Sequence, residues 1–354
     1  MIECKFEEQE ALLEEEETLY EHFKIQVDAG QETQRIDKFL AERMQHSSRN
    51  RIQKAADAGF IYANQKPVKS NYKVRGGDII TLMLATPKHD TSILPEEIPL
   101  NIVYEDDYLM VINKPAGMVV HPGCGNFTGT LVNAMAWQMR NNADYDPHSP
   151  EVGLVHRIDK DTSGLLVIAK TPDAKTNLGI QFLNKTTKRK YVALVWGNFD
   201  TNQGTIIGNI TRDTKDRMRM MLLPEGSEIG KHAVTHYSVL EKYGYTTLVE
   251  CVLETGRTHQ IRAHMKHINH PLFADERYGG MQILRGINSS AYQSFVNNCF
   301  KVCPRQALHA QTLGFKHPVT GEEMNFSAPI PQDMQTIINK WRTFSTANNI
   351  KTTI

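Results

Sequence analysis

Residues 153–170 constrain the fold of this chain more than any other stretch. They open on the apolar pair Leu154-Val155 and pass through a dense polar run, His156-Arg157-Ile158-Asp159-Lys160-Asp161-Thr162-Ser163. They end in an unbroken apolar run, Gly164-Leu165-Leu166-Val167-Ile168-Ala169. A continuous apolar run this short reads as a strand buried on both faces. A polar turn between buried strands is the kind of loop on which a rigid scaffold presents chemistry. Periodicity alone leaves a plain charged hairpin turn open as well.

Other segments fix the class. Strand-like runs occupy 109–112, 164–169, 191–195, 234–240 and 247–253, and helical spacing covers 130–138, 174–183, 259–268 and 334–341. Strands outnumber helices and no regular βαβ alternation occurs. The expectation is an α+β domain on a largely antiparallel, mixed sheet. It follows a small α/β unit in which Ile36, Phe39, Leu40 and Met44 recur at helical spacing, Ser47-Ser48 cap a second helix, and Gly59 ends it.

The formal net charge of zero conceals an asymmetry. Residues 1–33 hold ten Glu and one Asp against two Lys, a net of −9, so the remainder carries +9. Residues 34–82 alone hold ten basic and four acidic side chains. Such polarity points toward nucleic acid. The boundaries that follow are an acidic arm at 1–33, a basic unit at 34–86, a linker at 87–99, a large domain at 100–345 and a tail at 346–354. The run Glu14-Glu15-Glu16-Glu17 suits a solvated tail, or a phosphate mimic that shields the basic body.

Several chemistries lack a signal. There is no phosphate-cradling G-x-x-x-x-G-K-[ST] loop, no dinucleotide G-x-G-x-x-G and no G-x-S-x-G elbow. His259, His264, His267 and His270 crowd one segment without metal-ligand spacing, so no metal and no cofactor are expected. Five Cys at irregular spacing suit reduced thiols in a cytoplasm. No apolar run reaches the ~18 residues of a membrane span, and the N-terminus does not read as a signal peptide.

Two sets of residues carry family resemblances. Arg35-Ile36-Asp37-Lys38-Phe39-Leu40, Ser48-Arg49, Gly59, Asn64 and Gly77-Asp78 resemble the RNA-binding S-four domain. His156-Arg157-Ile158-Asp159, then Thr162-Ser163-Gly164-Leu165, resemble the signature of the RluA-type pseudouridine synthases. Glu105 through Gly117, His121-Pro122, Gly129 through Ala134, Lys190-Tyr191, Thr255 through His264, Arg305 through Ala310 and His317-Pro318 match further family stretches in order. Ala274-Asp275 departs from the pattern, which has Gly-Asp there, and the acidic arm has no counterpart in it.

The resemblance implies an isomerase that turns uridine in RNA into its C-glycoside. The N-terminal module brings the likeness nearest to members acting on the large ribosomal subunit. The implied partner is large-subunit ribosomal RNA or the assembling subunit, with no membrane and a monomeric enzyme. A synthase for tRNA and a non-catalytic RNA-binding assembly factor are the alternatives. Asp159 is implied as the essential carboxylate, Arg262 as its ion partner and Tyr191 as the ring stacking on uracil. Arg157 is implied to fill the space left by the flipped base, with His156 beside it. Arg35, Arg49, Arg51, Lys54, Lys190, Arg217, Arg257 and His259 are the further RNA contacts. Taken alone, Tyr191 reads as a half-buried strand residue and Arg262 as a phosphate contact on a helix surface.

Overall fold

A computed structural model describes residues 20–44, 48–84, 93–123, 126–141 and 153–348. The run Glu14–Glu17, Ser47, the linker residues 87–92 and the tail residues 349–354 lie outside these. The chain divides into two compact units, and the division falls between residues 91 and 92.

The first unit comprises β1 (Tyr20–Gln26), β2 (Gln34–Arg35), α1 (Ile36–Arg43), α2 (Arg49–Asp57), β3 (Ile61–Ala63), β4 (Lys66–Pro67), β5 (Lys73–Val74) and β6 (Ile79–Leu84). Ile36, Phe39 and Leu40 of α1 and Ile52, Ala55 and Ala56 of α2 point into one core with Val74, Ile80 and Leu82. Their helical spacing is therefore the buried stripe of two amphipathic helices. Strand β1 corrects the boundary drawn at residue 34. Tyr20–Gln26 pairs antiparallel with β6, so the later part of the acidic segment is an edge strand of this unit.

The second unit is built on one large sheet. Its elements are β7 (Ile102–Glu105), β8 (Leu109–Lys114), α3 (Leu131–Met139), β9 (Ser163–Ala169), α4 (Pro172–Leu183), β10 (Lys188–Trp196), β11 (Gln203–Arg212), β12 (Met220–Leu223), β13 (Lys231–Lys242), β14 (Thr246–Leu253), α5 (Gln260–His267), α6 (Ser290–Val302), β15 (Leu308–Lys316), β16 (Glu323–Ser327) and α7 (Gln332–Ala347). The strand order is β12-β11-β13-β14-β10-β15-β9-β8-β7, with β16 beside β15. Every pairing is antiparallel except β9 with β15, which meet at Ser163–His309 and Gly164–Ala310. The expected α+β class with a largely antiparallel mixed sheet is what forms.

Alternation along the central strands splits the core in two. Tyr191, Ala193 and Val195 of β10 face the layer containing α3 and Ile261 of α5. Val192, Leu194 and Trp196 face α6 and α7, where Trp341, Phe273, Tyr292 and Phe300 pack. Strand β9 does the same, with Leu166 and Ile168 on the first face and Leu165 and Val167 against Leu178 of α4. These are period-two strands with both faces covered. Helix α3 starts at a reciprocal cap in which Thr130 accepts from the Asn133 amide and the Asn133 side chain returns a bond. Residues 93–99, expected as linker, are docked on that helix. Ile93 is buried, the Asn133 amide donates to the Leu94 carbonyl, and the Glu96 carboxylate accepts from Gly129 N.

Candidate active site

Arg189 and Tyr191 lie two apart on β10, so they share one face, while Lys188 and Lys190 share the other and are exposed. That face opens into a cleft of about 110 Å³. Its walls include Arg157, Asp159, Arg189, Tyr191, Arg257, His259 and Arg262. Residues from β10, from the loop before β9 and from α5 with its leading loop thus converge there.

Asp159 sits in the polar turn ahead of β9, and its side chain is 20% exposed, open enough for a substrate to reach. The turn closes on itself through Thr162 N donating to the Asp159 carbonyl. Two buried cations grip it from behind. Lys114 donates to the Lys160 carbonyl at 2.9 Å, and to Pro115 and Met118 carbonyls at 2.7 and 2.8 Å. Burial without a carboxylate partner pushes the Lys114 ammonium down to about 7. Arg305 donates to the Asp161 carbonyl at 3.0 Å while its fork holds Asp333 at 2.7 and 3.0 Å. The carboxylate is placed by backbone carbonyls fixed to charges, which leaves little freedom to the turn.

Arg262 comes from the first turns of α5. Its guanidinium is the centre of a three-residue ionic array. Nε and Nη2 hold Asp275 at 2.7 and 3.0 Å, and Nη1 donates to Asp159 at 3.1 Å. Arg262 is 7% and Asp275 1% exposed, so this is a buried bidentate pair, the strong form of the interaction. Burial opposes the charge on Arg262. The Asp275 bonds outweigh it and raise the guanidinium above its ordinary pKa. Asp275 also accepts from Tyr278 N, and the Tyr278 ring lies 4.8 Å from the guanidinium carbon.

His259 caps α5 in the left-handed region, with φ of 53°. Its Nδ1 lies 3.1 Å from the Tyr278 hydroxyl, which itself accepts from Met220 N. The other ring nitrogen, Nε2, lies 3.9 Å from Asp159. Burial lowers the His259 pKa, so the ring is neutral at neutral pH. The loop before α5 is locked by Gln260, whose side chain accepts from Thr255 and Arg257 N and donates to Val234 and Thr235.

Asp159, Tyr191, Arg262, Arg157, Arg257 and His259, all singled out from sequence, meet in this one cleft. Arg157 is exposed at its rim, and Arg257 uses Nε on the His232 carbonyl. One expectation needs correction. His156 is committed inward, where its Nε2 accepts from Val167 N at 3.0 Å and its ring stacks on Phe182 at 4.4 Å. Burial and the nearby Arg189 charge push it down to about 3, so it is a neutral brace rather than an RNA contact. Lys190 points to the opposite face and pairs with Glu250. Arg217 is exposed between β11 and β12, and the first residue of β12, Met220, donates its amide to the Tyr278 hydroxyl. In the first unit, Arg35 and Arg49 both bond the buried Asp37 carboxylate at 3.1 Å while their side chains stay about half exposed. Lys54 is exposed and Arg51 partly buried.

Asp275, Tyr278 and Lys114 carry no assigned role in the sequence pattern and gain one only from the fold. The Ala274-Asp275 position held the signal. Ala274 has φ of 60°, in the region glycine tolerates best, so the turn that aims Asp275 at Arg262 is made under strain. Among the described residues, no group of three or more His, Cys, Asp or Glu is placed to share a metal ion, and no helix is long and apolar enough to cross a membrane.

The chain is similar to known proteins over most of its length. The family model described as RNA pseudouridylate synthase matches residues 108–267, and the S4 domain model matches 34–80. An uncharacterized RNA pseudouridine synthase of Chlorobaculum parvum is 47% identical over 326 residues, spanning 92% of this chain and 99% of that one. Ribosomal large subunit pseudouridine synthase D of Xanthomonas campestris is 40% identical over 309 residues, spanning 87% and 89%. A solved structure, human RNA pseudouridylate synthase domain containing 4, is similar with a TM-score of 0.55. It shares 26% identity and covers 68% of this chain and 93% of its own.

Proposed function

The chain belongs to the RNA pseudouridylate synthase family, and from that premise we propose that it isomerises uridines of large-subunit ribosomal RNA around Asp159. The observation that carries the site assignment is the convergence of Asp159, Arg262 and Tyr191 in one cleft, with Asp159 both ion-paired and reachable. The choice of ribosomal RNA rests on relatives named for that substrate and on the N-terminal S4 match.

The chemistry follows from these groups. A uridine paired in folded RNA cannot bring C1′ to Asp159, so the nucleotide must leave the stack. Arg157, exposed at the rim, fills the vacated space. Tyr191 offers its ring to the uracil. The C1′–N1 bond breaks with Asp159 either bonding C1′ or taking a sugar proton, the uracil turns, and C5 joins C1′ as its proton departs. Arg262, 3.1 Å from the carboxylate, orients Asp159 for this step. Burial raises the Tyr191 pKa while Arg189 opposes that rise, so the phenol enters the reaction protonated and serves the C5 proton as a relay. Substrate and product have the same composition, so the isomerisation consumes no co-substrate.

The test is a pseudouridine map of large-subunit ribosomal RNA from cells with and without the gene. Sites that vanish with the gene and return with the wild-type copy support the reading. An unchanged ribosomal map with sites lost in tRNA would move the substrate to tRNA. Maps unchanged in every RNA would leave an RNA-binding factor without catalysis.

A further inference from the structure

The described residues include three buried arginines, and they are not alike. Arg262 and Arg305 each carry a carboxylate in a two-pronged grip. Arg189 is equally buried, at 7% exposure, and has no acidic partner. Its Nε has no hydrogen-bond partner, and its Nη2 makes one long bond of 3.4 Å to the Glu254 carbonyl. The flat face of Phe182, 5.5 Å away, supplies its other contact. Removing a charge from water without pairing it is costly, so an unpaired buried guanidinium calls for a partner that arrives later.

Its position says which partner. Arg189 lines the same cleft as Asp159, on the same strand face as Tyr191. The Tyr191 hydroxyl lies within electrostatic reach of both Arg189 and Asp159. Gly256 keeps the cleft open there, because a Cβ at that position would stand 2.7 Å from Arg189 Nη1. A uracil on the Tyr191 ring, with its sugar toward Asp159, would thus meet a guanidinium with donors to spare.

We propose that Arg189 is a catalytic residue that donates to a uracil carbonyl oxygen and carries the negative charge the base acquires when its glycosidic bond breaks. The inference rests on the uridine-isomerising reading above. In the step concerned, the C1′–N1 bond breaks and its electron pair moves onto N1, shared with O2 and O4. The sugar cation is met by Asp159, through a C–O bond or by surrender of a sugar proton. Arg189 gives a hydrogen bond and no proton. The base turns, the pair at C5 forms the new C5–C1′ bond, and Asp159 is released or returns its proton. C5 then loses its proton and N1 gains one, so atoms and charge balance. A fixed donor in a water-poor site, aimed where charge develops, acts on the transition state more than on the ground state.

The test compares full-length wild type, Arg189→Met and Arg189→Lys in single-turnover assays on ribosomal RNA fragments. One fragment carries uridine and the other 5-fluorouridine, whose base leaves more readily as an anion. The expected result is an Arg189→Met rate on uridine RNA lower by about 100-fold, the usual effect of removing one such donor. RNA affinity should stay within about two-fold of wild type, because the loss falls on charge that develops only in the transition state. Loss of the glycosidic bond in the 5-fluorouridine RNA should slow distinctly less, and Arg189→Lys should fall between. A merely structural role would slow both substrates alike, and that outcome, or an unchanged Arg189→Met, overturns the proposal. Should Arg189→Met fail to fold, the substrate comparison with Arg189→Lys decides in the same way. Wild type that forms no pseudouridine would refute the isomerase reading itself, whereas active wild type with indifferent variants refutes only this inference.

Discussion

Replacing Arg262 by Met separates what the ionic array does for the fold from what it does for the chemistry. The change removes the 2.7 and 3.0 Å bonds to Asp275 and the 3.1 Å bond to Asp159. The two carboxylates then differ in fate. Asp159 is 20% exposed and regains water, but Asp275 is 1% exposed and keeps only the Tyr278 amide. Stranding a buried charge in this way costs about 3–5 kcal/mol. For a unit of this size that lowers the melting temperature by roughly 10 °C. Asp275→Leu strands Arg262 less completely, since Asp159 remains, and should cost about 2–4 kcal/mol. The double variant Arg262→Met with Asp275→Leu strands neither partner of this buried pair. Its loss should fall short of the sum of the single losses by about 2 kcal/mol or more. Pseudouridine formation should stay lost in the double variant, because Asp159 still lacks its cation. Thermal melts and a tritium-release assay on RNA bearing C5-tritiated uridine measure the two effects. Strictly additive stabilities, or a double variant with restored activity, would refute the array as described.

Three further outcomes follow from particular contacts. Tyr191→Phe keeps the stacking ring and loses the hydroxyl, so single-turnover rate should fall by about 100-fold while RNA affinity is unchanged, as for removal of a proton-transfer group. Gly164 has φ of 119°, and a Cβ there would run into the Ala310 carbonyl. Gly164→Ala should therefore cost about 2–4 kcal/mol in a melt, by opening the β9–β15 junction. Asp37 is buried, and Arg35, Gln53 and Arg49 bonds hold its carboxyl far below the usual carboxylate range. The unfolded chain binds the proton more readily, so its contribution is complete above about pH 4 and disappears as acid protonates the folded carboxylate. Circular dichroism of Asp37→Asn across acid pH should show a flatter acid limb than wild type, and an unchanged limb would contradict the assignment.

What could be read from the sequence was governed by how local the signal was. The turn around Asp159 and strand β9 declare themselves through a polar cluster next to an unbroken apolar run. The pairing of Arg262 with Asp275 does not, because it depends on a strained turn bringing back a residue that no periodicity marks. Strand β1 was hidden under charge. The Glu content of residues 1–33 dominated, although Tyr20–Gln26 pairs with a strand more than fifty residues away. Helix α6 had a readable stripe in Tyr292, Val296, Cys299 and Phe300, but its polar filling obscured it. Arg189 and Lys190 show the limit of composition. Both sit in one basic run, yet strand alternation buries one in the cleft and leaves the other on the opposite face paired with Glu250.

The most direct measurement is tritium release from C5-tritiated uridine in a transcribed large-subunit ribosomal RNA fragment, with purified wild type and Asp159→Asn side by side. Asn keeps the size of the side chain and can still accept from Arg262. Folding and RNA affinity should therefore match wild type, and release should drop to the level of RNA alone. Release by Asp159→Asn at a rate near wild type would show that the carboxylate at the centre of this cleft is not the catalytic group.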